Sequence, residues 1–176
     1  MIGGASGTGK SSLSKKVANK FDYHHTLGTG FVRQIVRGFI PQNKNQYLHT
    51  YSYDETLDIK GFELLIEQSK PLVKPIISCI ERARNEGTKL IVEGTAIIPS
   101  LFNGLDCDIK VILNNLNEEK HLEMVRGDSH AKRVIDKKQF QNIRRIQNKF
   151  IEDAKKSGWL TLDSDSAFEE ISKLII

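Results

Sequence analysis

Apolar positions along this chain fall into two rhythms that alternate from one segment to the next. After a glycine-rich opening, SSLSKKVANKF sets Leu13, Val17, Ala18 and Phe21 on one helical face. FDYHHTLGTG shortens to a strand ending in a glycine turn, with one of His24 and His25 expected to pack and the other to face polar surroundings. FVRQIVRGFI returns to helical spacing and predicts Phe31, Val32, Ile35, Val36 and Phe39 inward, with Arg33 and Arg37 on the other face. Pro41 and the polar run QNKNQ end that helix. YLHTYSYDE shows no period and reads as a loop. GFELLIEQSKPLVKPIISCIERARNEG is mostly helical, with Pro71 and Pro75 expected to kink or divide it and Gly87 to stop it. TKLIVEG and CDIKVILNN are short apolar runs of the kind that form buried strands, and Pro99 and Gly104 mark a loop with one helical turn. NEEKHLEMVR begins a helix, RGDSHAKR reads as a loop, and DKKQFQNIRRIQNKFIEDAKKSG is a long helix. WLTLDSD supplies a last strand, and SAFEEISKLII an amphipathic helix.

Strands thus alternate with helices, which predicts an α/β fold with a parallel sheet covered on both faces. No repeat, linker or low-complexity segment interrupts the pattern, so residues 1–176 are expected to form a single domain. Composition adds a class. An apolar fraction of 39% with 27% charged residues is that of an ordinary globular chain. The net charge of +4 suits an anionic substrate. No dense Lys/Arg block points to nucleic acid, and the charges of AKRVIDKKQFQNIRRIQNK recur at helical spacing, as on a solvated helix face. Cys79 and Cys107 form neither a metal-ligand pattern nor a disulfide framework. No apolar run could span a bilayer, and no signal peptide is visible, so a cytoplasmic location is the expectation.

The chemistry begins at GASGTGKS, residues 4 to 11, which fits G-x-x-x-x-G-K-[ST]. The chain must wrap a polyphosphate there, and Gly4, Gly7 and Gly9 can take the dihedrals such a wrap demands. Amides of Ser6, Thr8 and their neighbours then point at anionic oxygens, and the following helix adds the positive end of its dipole. Lys10 is placed to reach the β- and γ-phosphates; Ser11 would ligate Mg²⁺, with Ser12 beside it. ATP and Mg²⁺ are the implied cofactors. Only Met1 and Ile2 precede the glycines, where such a loop usually follows a strand of ~5–6 residues. Either residues upstream are missing, or the true start lies elsewhere, or a stub suffices.

LIVEG puts Glu93 at the carboxyl end of a buried strand, where an acid orders Mg²⁺ or takes a proton from the acceptor. Asp22, Asp163 and Asp165 are rivals in more polar settings. Phosphoryl transfer also needs cations, and guanidinium groups suit phosphate and carboxylate recognition. Arg33 and Arg37 follow the second strand's glycine turn, on the acceptor side. Arg126, Lys132 and Arg133 bracket GDSHAK as a lid would, and His130 could join them. Arg144 and Arg145 lie on the long helix beyond, and His121 reads as an exposed helix residue. His49, Thr50 and Ser52 crowd one loop rich in hydrogen-bonding groups, a composition that suits binding.

IGGASGTGKSS, LGTGFVRQIVR, YLHTYSYD, IVEGTAIIP and FQNIRRIQNKFIEDA together resemble the archaeal-type 2-phosphoglycerate kinases, in that family's order and across nearly the whole chain. The phosphate loop alone is common to a vast superfamily; LHTYSY, VEGTAIIP and IRRIQ are far more specific. The resemblance implies a P-loop NTPase three-layer sandwich of nucleoside-monophosphate-kinase type, with a five-stranded parallel sheet and a short lid. It implies an ATP- and Mg²⁺-dependent kinase that phosphorylates a small phosphorylated or carboxylated hydroxy compound, with 2-phosphoglycerate the leading acceptor. Lys10, Glu93, Arg126 and Arg133 would be catalytic. Arg33, Arg37, His49, Thr50 and Ser52 would bind substrate, and Ser11 and Glu93 the metal. The chain departs from the family pattern G-T-D-x-x-R at Gly30, which leaves Glu93 with more of the work. Two alternatives stay open: a nucleotide-binding module without acceptor turnover, and a related kinase with a nucleoside, sugar or polynucleotide acceptor. A guanine-reading N-K-x-D is absent, since VILNNLN lacks the Lys and Asp.

Overall fold

The computed structural model describes residues 1–52, 58–127 and 134–175. Its centre is a five-stranded sheet, all parallel, in the order β2-β3-β1-β4-β5. The strands are β1 (Ile2–Gly3), β2 (His25–Gly28), β3 (Leu90–Glu93), β4 (Val111–Asn114) and β5 (Leu160–Asp163). Between and after them run α1 (Lys10–Phe21), α2 (Thr29–Phe39), α3 (Gly61–Asn85), α4 (Glu118–Arg126), α5 (Lys137–Ser157) and α6 (Ala167–Leu174).

The two-residue β1 occupies the middle of the sheet. Ile2 lies opposite both Glu93 and Val111, and Gly3 opposite Ile112. Hydrogen bonds beyond the strand proper hold it on both sides: Gly94 N–H to the Ile2 carbonyl at 3.0 Å, and Val111 N–H to the Met1 carbonyl at 3.0 Å. The glycine loop thus leaves the sheet at its centre, from a strand paired on both sides.

Successive strand side chains go to opposite faces. Ile91, Val111 and Leu113 join Leu13 and Val17 of α1 and Ile171 of α6 in one apolar cluster. Val92 and Ile112 join Leu72 and Ile76 of α3 and Ile143, Ile146 and Phe150 of α5 in the other. A helix layer thus covers each face, as the alternating pattern predicts. Asp136 opens α5 with a capping box that includes Gln139, and Gly158 closes it at φ 69°.

Three local expectations are corrected. Of the kink or division expected in α3, the division is ruled out, since one helix runs through Pro71 and Pro75. Leu64, Leu65, Gln68 and Ser69 before the first proline and Leu72 and Ile76 after it are all buried, and this shared burial holds the helix across the lost amide donors. In α2 only part of the apolar set turns inward. Val32 is buried and Val36 half-buried, whereas Phe31, Ile35 and Phe39 are 81%, 63% and 83% exposed. Five such residues span more of the helix circumference than one core can cover, and the inward arc is shared with Thr29, Arg33 and Arg37. His24 and His25 are both exposed: His24 lies in the loop before β2, and His25 heads that edge strand.

Candidate active site

The glycine loop leaves the carboxyl end of β1 and turns into α1, so residues 4–12 cap the middle of the sheet, where ligands bind in open α/β sheets. Gly9 is the N-cap of α1, and Lys10 its first residue. The loop's amides therefore stand at a helix N-terminus, which favours anions. Thr8 Oγ1 donates to the Ala5 carbonyl at 3.1 Å, closing the wrap. Lys10 is buried, and its Nζ donates to the Ala5 carbonyl at 2.5 Å, inside the loop. Gly7, at φ +75°, shows why a side chain is excluded: a Cβ would come within 2.3 Å of Val125 Cγ2 from α4. Ser11 and Ser12 are exposed on the first turn of α1, beyond Gly4, Ser6 and Gly9 of the loop.

Glu93 reaches this loop from β3. Ser11 Oγ donates to Glu93 Oε1 at 2.9 Å, across 82 positions of sequence. The two residues read as metal ligands are thus in contact. Among the described residues no group of three or more His, Cys, Asp or Glu side chains forms a metal site. A cation between Ser11 and Glu93 would complete its shell with phosphate oxygens and water, as Mg²⁺ does. The residues present fit that ion. The rival acids are otherwise engaged or remote. Asp163 accepts from the amides of Leu116 and Asp165, Asp165 pairs with Lys120, and Asp22 sits exposed at the end of α1.

Gly94, next to Glu93, brings the acid against the start of α2. At φ +146°, a Cβ there would lie 1.8 Å from Thr29 Oγ1 at the start of α2. Only glycine lets β3 turn so close to that helix. On α2, Arg33 and Arg37 both donate from Nε to the Leu48 carbonyl at 2.9 Å, and Arg33 Nη2 also donates to the Thr50 carbonyl. Gln68 Nε2 meets the same Thr50 carbonyl at 2.6 Å. His49 Nε2 donates to the Ile40 carbonyl at 2.8 Å, and Thr50 Oγ1 to that of Gln46 at 3.2 Å. The structure therefore brings Arg33, Arg37, His49 and Thr50 together with Ser52 following, and uses their polar atoms to fold the 47–52 turn.

Arg126, at the end of α4, donates from Nη2 to the Ile135 carbonyl at 3.2 Å, spanning the base of the expected lid. Arg133, with His130 and Lys132, lies outside the described residues.

The sequence reading missed one group. His121 was expected on an exposed face, yet it is fully buried. Its Nε2 donates to the Ser6 carbonyl of the glycine loop at 2.8 Å. Its Nδ1 accepts from Arg144 Nη1 at 3.2 Å, and the same Nη1 reaches the Asn115 carbonyl at 2.6 Å. Gln147, one turn on, holds both the N–H and the carbonyl of Asn115 at 2.9 and 3.1 Å. IRRIQ is thus partly a clasp rather than a solvated face: Arg144 and Gln147 turn in while Arg145 stays exposed. Burial pushes the His121 pKa down, and the nearby Arg144 and Lys10 charges add to it. The imidazole is held neutral, with its proton on Nε2. The available signal was that the polar Asn142 and Gln147 fall beside the apolar positions Ile143, Ile146 and Phe150.

A cavity of about 310 Å³ opens at the opposite end of the sheet, lined by Tyr23, Arg84, Cys107 and Ile175 among others, and no residue of the glycine loop lines it. Among the described residues no helix is long and apolar enough to cross a membrane.

No family model matches the chain. Curated relatives do. The chain is 28% identical over 200 residues to the 2-phosphoglycerate kinase of Methanopyrus kandleri, covering 99% of this chain and 58% of that one. It is 28% identical over 191 residues to the 2-phosphoglycerate kinase of Methanocaldococcus jannaschii, covering 99% and 61%. A protein of the same name from Thermococcus kodakarensis is 21% identical over 188 residues, covering 99% and 64%. The resemblance read from the motifs therefore extends over the whole chain, which spans about three fifths of the length of these relatives. Among solved structures, a deoxyadenosine kinase from M. mycoides with bound dATP matches with a TM-score of 0.56 at 14% identity, over 98% of this chain and 95% of that one. That likeness identifies the fold as the α/β sandwich of P-loop nucleoside triphosphatases.

Proposed function

We propose that this chain is the phosphoryl-transfer unit of an ATP- and Mg²⁺-dependent cytoplasmic kinase acting on a small anionic hydroxy compound, with 2-phosphoglycerate as the leading acceptor. The hydrogen bond from Ser11 to Glu93 carries the reading, because it puts the loop's hydroxyl and a strand-end carboxylate at one point beside the phosphate cradle. The names of the relatives support 2-phosphoglycerate as that acceptor.

Transfer of a γ-phosphoryl demands positioning and charge stabilisation more than covalent help. The amides of residues 4–9 and the N-terminus of α1 bind the polyphosphate. Lys10 supplies a cation inside the loop. Ser11 and Glu93 would hold Mg²⁺, which neutralises charge developing on the phosphate oxygens. With Gly30 lacking a side chain, Glu93 is the carboxylate at the junction with α2, and it orients the attacking hydroxyl and receives its proton. Arg33 and Arg37 shape the acceptor wall through the 47–52 turn. Arg126 and Arg133 close over the transferring group.

The test is ADP release from Mg²⁺-ATP with and without 2-phosphoglycerate, beside Lys10→Ala. Acceptor-dependent turnover lost in the variant is the expected result. ATP binding without acceptor-dependent turnover, across phosphorylated hydroxy acids, nucleosides and sugars, would leave a nucleotide-binding module. No ATP binding would overturn the reading.

A further inference from the structure

Phe31 is an aromatic side chain left 81% exposed beside the candidate acid. A Cβ built at Gly28 would lie 3.5 Å from Glu93 Oε1 and 3.8 Å from Phe31 Cδ2, so the carboxylate and the ring edge flank one small space. Ser11 Oγ donates to that same Oε1 at 2.9 Å. The ring reaches this point because helical side chains lean toward the helix N-terminus, and Phe31 is the third residue of α2. Ile35 and Phe39 follow one and two turns later, about 6 and 12 Å further along the axis.

The bare glycines decide what faces the acid. Gly28 lines the space with backbone only, and a Cβ at Gly30 would meet nothing within 4 Å. Thr29, between them, is buried and set against Gly94. Of residues 28–31, Phe31 is therefore the one whose side chain borders the space beside Glu93, which is itself only half-buried. Exposed apolar surface that adjoins a site marks a place where a ligand packs.

We propose that Phe31 is an acceptor-contacting residue, whose ring packs on the carbon skeleton of the hydroxy compound and displaces water from the open side of Glu93. The proposal rests on the kinase reading above. A ring contributes through contact with carbon, so the acceptor is one that offers C–H surface beside its hydroxyl. In the transfer step the acceptor oxygen bonds to the γ-phosphorus while the bond from that phosphorus to the β–γ bridging oxygen breaks. ADP leaves, and the hydroxyl proton passes to Glu93. Water standing in the same place would yield inorganic phosphate instead. A ring closed against the acceptor keeps water out of that place, which is how a site favours transfer over hydrolysis.

The test uses the full chain with Mg²⁺-ATP and 2-phosphoglycerate, counting both ADP released and acceptor phosphorylated. Phe31→Ala should raise the acceptor KM about tenfold and lift the ADP released per acceptor phosphorylated from near unity to a clear excess. Nucleotide Kd should not change, and the melting temperature should stay within about 2 °C, because the side chain is exposed. Phe31→Tyr, which keeps the ring, should behave as wild type. Ile35→Ala, one turn on, should alter none of these quantities. An unchanged acceptor KM and ratio in Phe31→Ala overturn the proposal and leave the kinase reading intact. Equal effects in Ile35→Ala also overturn it, since they would belong to the α2 surface at large. A wild type that binds ATP yet shows no acceptor-dependent turnover on any of the acceptors tested above overturns the kinase reading, and this proposal with it.

Discussion

The two sides of the candidate site are built in opposite ways. On the nucleotide side, a contiguous run of eight residues forms the cradle, and its support comes from far away in sequence. His121 and Val125 of α4 brace the loop, and Arg144 of α5 braces His121. On the proposed acceptor side, Arg33, Arg37, His49 and Thr50 lie within 18 positions of one another and satisfy each other's neighbourhood. In the first, a side chain from α4 holds the Ser6 carbonyl of the loop from outside. The second holds a turn in shape with the guanidinium groups themselves. Rigidity on one side is imported, and on the other it is local.

The sharpest test of this contrast lies where the two sides meet. Glu93 touches Ser11 of the loop and adjoins Gly94 under α2. Glu93→Gln keeps the shape and removes the charge. It should lower acceptor-dependent turnover by about 10²–10³ while nucleotide binding without Mg²⁺ stays within a few-fold. Fluorescent-nucleotide titration beside a coupled ADP assay reads both. Loss of binding alone would make Glu93 a scaffold for the loop. The Gly94→Ala change attacks the same junction sterically. Its Cβ would collide with Thr29 Oγ1 at a left-handed backbone position, so stability should fall by about 2–4 kcal/mol. The melting temperature then drops by roughly 5–15 °C. An unchanged melting temperature would mean that β3 and α2 can separate cheaply, and the junction would lose its role.

Next in size is a double dissociation. Arg33→Ala removes a guanidinium from the Leu48 and Thr50 carbonyls. It should raise the acceptor KM about tenfold and leave the nucleotide Kd unchanged. His121→Ala leaves the Ser6 carbonyl without its donor. The expected result is the converse: a nucleotide Kd about tenfold weaker, in line with the loss of one buried hydrogen bond, and an unchanged acceptor KM. His121→Gln, which can still donate, should recover part of the affinity. Equal effects of both substitutions on both substrates would erase the distinction between the two sides.

How far each side could be read from sequence follows from the same contrast. The cradle is legible because its chemistry is backbone chemistry, and glycine spacing announces a backbone conformation directly. Glu93's place at the carboxyl end of β3 is legible because it closes a short buried apolar run. The parallel sheet follows from alternating periods, and even the stub β1 was visible as a shortage of apolar residues. What failed did so where tertiary context decides. His121 looks like any polar residue on a helix of mixed charge, because nothing local says that Ser6 lies 115 positions away in sequence and 2.8 Å away in space. Phe31, Ile35 and Phe39 were assigned inward because apolar spacing marks a face without saying which surface that face meets. Pro71 and Pro75 predict a kink or a break in α3 because propensity is local, whereas the burial on both sides of Pro71 that keeps the helix continuous is not.

The smallest expected effect is a pH dependence, and its sign distinguishes imported from local rigidity. His121 is held neutral in the folded protein, with its pKa below the ordinary 6.5, first by burial and then by the charges of Arg144 and Lys10; Glu118 and the Ser6 carbonyl pull the other way. A group whose folded pKa is depressed lends its stability fully above the unfolded value and loses it as pH falls through the folded value. Protonation would also set a second donor against Arg144 Nη1 at the nitrogen that now accepts. Nucleotide affinity should therefore be flat at neutral pH and weaken a few-fold only as pH falls through the lowered folded value. His121→Gln should remove that step, and the acceptor KM should not share it, since the guanidinium-to-carbonyl contacts of Arg33 and Arg37 do not titrate in this range. Measuring nucleotide Kd and acceptor KM over the same pH series in both proteins decides the point. A step that persists in the Gln variant would move its origin away from His121, and with it the claim that the cradle's shape is held from α4 and α5.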